Sequence, residues 1–127
     1  MKGESQVSYC INLVRAKFFV AEKDKYPAYK ALRKELGSKP FWNEIHCLED
    51  VLYTYCYSPK NDSGDNICGI DYNGEKLGIE EEMFRLLAPY VKSGSYIEMV
   101  GEDGGLWRWV FENGAFKEVK AKTVWND

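Results

Sequence analysis

Glu98, Glu102, Asp103 and Arg108 form the one group of acidic and basic side chains that falls on a stretch with strong structural signals. Carboxylates a few residues from an arginine can carry acid–base chemistry, or can grip a basic peptide or a hydroxyl-rich ligand. The same residues also have a purely structural use, with Glu98 and Arg108 as a cross-strand pair and Asp103-Gly104 as hairpin-turn chemistry. Other candidates are thinner. The single histidine, His46, neighbours Cys47, but adjacent residues point in different directions and do not make a Cys–His pair. Nothing marks Cys10, Cys56 or Cys68 as a partner for it, so His46 is expected to be structural, near a helix start. Asp62 and Asp65, in the breaker-rich stretch 58–65, invite a calcium site. The EF-hand order of ligands and its closing glutamate are missing, and a surface loop is expected instead. No catalytic residue, metal or cofactor is assigned.

The stretch 95–125 must position the acidic and basic group. Residues 96–100 form a short β-compatible run that ends in the glycine-rich loop 101–105. Residues 106–112 follow, then Asn113-Gly114, the strongest short hairpin signal because a type I′ turn needs positive φ at both central residues. A third strand runs from Ala115 to Val119, with room to continue to Val124. A five-residue loop at 101–105 sets Val100 opposite Leu106, Glu98 opposite Arg108 and Ile97 opposite Trp109. Ile97, Met99, Trp107, Trp109 and Phe111 then share one face. A cross-strand ion pair contributes roughly 0.2–1 kcal/mol, against about 1.5–3 kcal/mol for each buried aromatic. The aromatic face therefore decides the register, and Trp107 and Trp109 are expected in the core rather than as a stacking platform. Trp125 is the tryptophan expected to be exposed.

Earlier elements cover that meander. Residues 1–6 are expected to be a flexible lead. Residues 7–20 suggest one or two strands, with a hairpin broken near Arg15-Ala16-Lys17. Pro27 suits the first position of a basic amphipathic helix that ends at Gly37, with Tyr29, Leu32 and Leu36 on its apolar side. A helix is expected over about 47–56, with Trp42 and Ile45 packing ahead of it. Residues 67–72 form a strand ended by Asn73-Gly74. A last helix spans 79–91, with Ile79, Met83, Leu86, Leu87, Tyr90 and Val91 as its stripe. Glu80, Glu81 and Glu82 favour its first turn through the helix dipole, and Pro89 ends or kinks it. The fold class is α+β: a single domain with a mainly antiparallel sheet of about five strands and two or three helices packed on one face.

Composition narrows the function. The chain has 127 residues, with 45% hydrophobic and 29% charged, enough for a core without staples. No apolar run approaches the ~20 residues of a membrane helix, and residues 1–8 lack the apolar region of a signal peptide. A soluble, cytoplasmic protein is expected, without membrane contact. The 4 cysteines have no C-x-x-C spacing and are expected to be reduced and mostly buried. Net charge is −3, with lysine and arginine concentrated in residues 1–40 and acid in the remainder. An acidic chain is a poor phosphate-backbone binder.

The order of segments resembles a group of small, uncharacterised bacterial proteins. The likeness is carried by Gly74-Glu75-Lys76-Leu77-Gly78, the acidic helix start, Ala88-Pro89-Tyr90-Val91, Gly94-Ser95-Tyr96-Ile97-Glu98-Met99, and Gly101-Glu102-Asp103-Gly104 before Trp107-Arg108-Trp109-Val110-Phe111. It covers about residues 48–125. The resemblance implies a bacterial, soluble, intracellular protein and brings no activity with it.

The first functional expectation is a non-enzymatic interaction module that engages a basic protein partner through its acidic surface and the 101–105 loop. Glu98, Glu102, Asp103, Arg108 and Trp125 are its candidate contacts, and a homodimer is a further form of partnership. The alternative is a small-ligand binder or enzyme using Glu98, Glu102, Asp103 and Arg108. Nucleic-acid binding through the basic residues of 15–39 comes last.

Overall fold

In a computed structural model, which describes residues 10–75 and 78–121, Asn113 and Gly114 take φ of 51° and 78°. That is the backbone a two-residue I′ hairpin requires, and it fixes the strands around it. Strand β4 (Ser95–Gly101) pairs antiparallel with β5 (Leu106–Glu112), and β5 with β6 (Ala115–Lys120). Val100 faces Leu106, Glu98 faces Arg108 and Ile97 faces Trp109, the register the aromatic face demands. Strand β1 (Ile11–Lys17) completes a four-stranded antiparallel sheet in the order β1-β4-β5-β6. A second sheet is the hairpin of β2 (Tyr57–Asn61) and β3 (Ile67–Tyr72). The two meet where Val20 and Ile67 exchange backbone hydrogen bonds of 2.9 Å. Helices α1 (Glu22–Leu36), α2 (Leu48–Thr54) and α3 (Glu80–Leu87) supply the cover. The fold is α+β as expected, but instead of one sheet of about five strands the described residues form a four-stranded sheet and a separate two-stranded one.

Phe84 of α3 is the hub of the core. Its ring lies 5.1 Å from Tyr57, 5.5 Å from Trp109 and 5.9 Å from Phe111, within the range of favourable aromatic pairs. Ile97, Met99, Trp109 and Phe111 of the meander are buried beneath it, and Trp107 is half-buried. The expected stripe of α3 holds at Met83, Leu86, Leu87, Tyr90 and Val91, gains Phe84 and fails at Ile79. Met83, Phe84 and Leu87 are buried, while Ile79, at the position preceding the helix, is 70% exposed. The helix begins one residue later than the stripe assumed, so Ile79 falls outside its periodicity. Pro89 marks the change from α3 to a 3₁₀ turn, Ala88–Tyr90.

Four further expectations need correction. Helix α1 starts at Glu22, and Pro27 lies inside it. The Glu22 backbone N–H donates to Asn66 Oδ1 at 2.8 Å, so a residue from a distant turn satisfies an orphan donor that no local residue caps. Arg15-Ala16-Lys17 is not a break. It lies within β1, where a register shift between Leu13 and Arg15 marks a bulge at Val14. Residues 58–61 belong to β2 rather than to a loop. Pro59 is tolerated there because β2 is an edge strand of its sheet, and the loop proper is the turn 62–66. Finally, the cysteines are free, but Cys47, Cys56 and Cys68 are exposed and only Cys10 is half-buried. Cys68 takes an outward position of β3 between buried Ile67 and Ile70, and Cys56 sits on a turn at φ 70°. The lead 1–6, the strand start at 7–9, the Leu77 side of the third helix and the strand's continuation to Val124 lie outside the described residues.

Candidate functional site

The bulge at Val14 has a chemical result. It brings Arg15 opposite Glu98, a re-aiming of a side chain that bulges commonly achieve. Glu98 is 8% exposed. Its Oε1 accepts from Arg108 Nε at 2.7 Å, and its Oε2 lies 3.4 Å from Arg15 Nε. The Arg108 guanidinium also lies over the Tyr96 ring, 4.4 Å from its centroid. The carboxylate is thus held between two guanidinium groups on a rigid sheet. A shallow pocket of about 300 Å3 lies beside it, lined also by Leu106, Trp107 and Val119.

Glu102 and Asp103 do not join this arrangement by any hydrogen bond or ion pair described for them. Both are exposed in the tight loop between β4 and β5. Glu102 exchanges contacts with Cys10, its N–H donating to the Cys10 carbonyl at 2.9 Å and its Oε1 accepting from the Cys10 N–H at 3.3 Å. Asp103 Oδ1 accepts from the Gly105 N–H at 2.9 Å, a local turn bond of the kind aspartate favours. Glu102 lies four residues beyond Glu98, about 13 Å along a strand. The structure therefore unites Glu98 and Arg108 with Arg15 and holds the two loop acids apart from them. Trp125 lies outside the described residues.

The remaining sequence candidates have structural employment. His46 is exposed just ahead of α2, where its backbone N–H donates to Asp50 Oδ2 at 2.9 Å. Although Cys47 is exposed, partial desolvation of its thiol, with Asp50 and Glu49 nearby, raises it above its ordinary pKa, which works against a thiolate nucleophile. Asp62 Oδ1 accepts from the N–H groups of Gly64 and Asn66 at 2.9 and 3.0 Å. Asp65 pairs with Lys25 Nζ at 3.0 Å. Among the described residues no group of three His, Cys, Asp or Glu side chains is placed to hold a metal ion. The basic residues of 15–39 are dispersed: Arg15 is on Glu98, Lys25 between Glu49 and Asp65, and Arg33 donates to the carbonyls of Trp42 and Ile45 at 3.0 and 3.1 Å.

A second concavity among the described residues, larger than the pocket beside Glu98, was not foreseen. A groove of about 900 Å3 runs between the C-terminal end of α1, the 3₁₀ turn Pro40–Glu44, helix α2 and the start of α3. Among the described residues five acidic side chains line it, those of Glu35, Glu44, Asp50, Glu80 and Glu82, against one lysine, Lys39. Phe41, Tyr53 and Ile79 stand exposed along it. At its floor Glu80, 2% exposed, accepts from Tyr57 Oη at 3.1 Å and from the Gly78 N–H at 2.7 Å. Burial, and after it the Glu80 charge, pushes the Tyr57 phenol far above its ordinary pKa, so it remains a protonated donor. Burial and Glu82 raise Tyr55 likewise. Among the described residues the groove offers carboxylates, phenols and apolar surface. One signal in the sequence bears on it: Phe41, Tyr53 and Ile79 are large apolar residues that the packing of their own elements leaves outside.

No helix among the described residues is long and apolar enough to cross a membrane. No protein-family model matches the chain, and no curated protein or solved structure is significantly similar to it. The resemblance to small bacterial proteins thus rests on its motif residues alone.

Proposed function

We propose that the protein is a non-enzymatic binding module, cytoplasmic and bacterial, whose acidic surface engages a basic segment of a partner protein. The observation that carries this reading is the 900 Å3 groove, along whose aromatic and aliphatic lining the described residues place five carboxylates and one lysine. Its volume falls in the range of ligand-binding clefts, and its charge complements lysine- or arginine-bearing sequences. Aromatic rings beside carboxylates add cation–π attraction to Coulomb attraction. The 101–105 loop is the weaker contact, because Glu102 and Asp103 already serve the turn and the Cys10 backbone.

A ligand-binding or enzymatic alternative draws on the 300 Å3 pocket beside Glu98 and Arg108. Those two groups neutralise each other at 2.7 Å, which leaves the groove as the stronger candidate.

Affinity capture of the full chain from its own cell lysate, at low and moderate salt, tests the reading. One stoichiometric basic partner, lost when Glu44 and Glu82 are both changed to lysine and kept when Glu102 and Asp103 are, supports the groove. The reverse pattern moves the contact to the loop. A blank at both salts sinks the protein-partner reading and turns attention to small ligands.

A further inference from the structure

The four-stranded sheet has two faces. Ile97, Met99, Trp109 and Phe111 look toward the helices and are buried. The alternate positions look the other way, and there Val14, Leu106 and Val119 are exposed while Tyr96, Val100 and Val110 are half-buried. Among the described residues this outer face is left to solvent. Its charge is opposite to that of the groove: Arg15, Lys17, Arg108 and Lys117 stand against Glu98 and Glu112.

The register orders these residues. One transverse row runs Lys17–Tyr96–Val110–Lys117, and the row beside it runs Arg15–Glu98–Arg108–Val119. Cations thus sit on both edge strands, β1 and β6, while the two central strands present Tyr96, Val100, Leu106 and Val110 around the mutually neutralised Glu98–Arg108 pair. Four strands span about 15 Å at their usual spacing, and an α-helix with its side chains is about 10–12 Å wide. One helix laid on the face would cover Val100, Leu106 and Val110 together with the neutralised Glu98–Arg108 pair, and acidic side chains on its two flanks would reach Lys17 and Lys117.

Other occupants fit less well. Single-stranded nucleic acid needs several free aromatic faces and a dense run of cations. Among the described residues the aromatic ring on this face is that of Tyr96, which already carries the Arg108 guanidinium. A second copy meeting face to face would oppose like net charge. We propose that the outer sheet face is a second docking surface, which receives an amphipathic α-helix of a partner protein whose apolar stripe is flanked by carboxylates. The proposal is independent of the groove.

The test uses the full chain and a synthetic helical peptide of about 20 residues, long enough to hold its helix, with a leucine stripe flanked by glutamates. Fluorescence polarisation at low and moderate salt should show saturable binding. Lys17→Glu combined with Lys117→Glu should weaken it about tenfold or more, and Leu106→Asn should weaken it several-fold. Lys23→Glu with Lys34→Glu, an equal charge change on α1, should hold the affinity within about twofold. Thermal unfolding of each variant confirms that it is folded. Absent binding overturns the proposal, as does equal loss in the α1 variant or no loss in Leu106→Asn. Stronger competition by a single-stranded oligonucleotide or by anionic vesicles would also overturn it, in favour of those partners.

Discussion

Two charged knots in this protein use the same chemistry to opposite ends. On the sheet, the Glu98 carboxylate is buried and its partners are outside, with Arg15 and Arg108 side chains 63% and 45% exposed. In the second knot the cation is inside. The Lys25 side chain is 12% exposed, and its Nζ lies 2.6 Å from Glu49, 3.0 Å from the Asp65 carboxylate and 2.9 Å from the Asp65 carbonyl. Asn61 adds hydrogen bonds to both acids, 3.0 Å to Glu49 and 3.2 Å to Asp65. The first knot is assembled from three adjacent strands and presents positive charge to solvent. The second ties α1, α2 and the β2–β3 turn together and consumes the charge it contains. Where a charge is buried thus separates a fastening from a surface available to a partner.

Removing Lys25 should give the largest effect. Lys25→Ala leaves the mostly buried Glu49 without its cation and should cost about 2 kcal/mol in urea unfolding. A loss near zero would mean that the tie fastens nothing. The acid limb of stability follows from the same knot. Burial pushes Glu49 up, but hydrogen bonds from Lys25 and Asn61 outweigh it and hold the carboxyl below its ordinary 4.5. A depressed carboxyl stabilises the fold above that ordinary value, and the contribution disappears as pH falls through the lower folded value. Stability measured from about pH 6 to pH 3 should therefore fall on the acid side, and the fall should flatten in Lys25→Ala. Burial pulls Lys25 down, yet its bonds to Glu49 and Asp65 prevail and hold it above 10.5. Its share persists through neutral pH and is lost only as pH rises through that raised value.

Glu98→Gln should cost less, about 1 kcal/mol, because the guanidinium groups it releases are already hydrated. Arg15→Ala should be smallest, below about 0.5 kcal/mol, as expected of an exposed pair at 3.4 Å. An Arg15→Ala loss as large as that of Lys25→Ala would erase the distinction between the knots.

The sheet knot was half legible in the sequence. Asn113-Gly114 and the alternation of Trp107, Trp109 and Phe111 are local signals, and they suffice to set Glu98 opposite Arg108. Arg15 was hidden because its place depends on the Val14 bulge, for which no glycine or proline gives notice. The Lys25 knot was hidden entirely: Lys25, Glu49 and Asp65 meet only once three elements have packed. The start of α1 failed for the same reason, since its orphan N–H is satisfied by Asn66, 44 positions away. Ser58-Pro59-Lys60-Asn61 misled through composition, as turn-forming residues that an edge strand tolerates. The groove is lined from residues 35–56 and 72–82, so no single window of sequence contains it.

The strand order also sets a schedule for synthesis. β4, β5 and β6 are neighbours in sequence and can pair as soon as they are made. β1 pairs with β4, which follows it by about 80 residues. At the usual elongation rate of about 5–20 residues per second, β1 waits some 4–16 s for its partner. During that interval its backbone edge is open, as is typical of strands whose contacts are distant in sequence. The charged run Arg15 to Lys17 at its end is then a safeguard against pairing with neighbouring nascent chains, before it becomes part of a finished sheet.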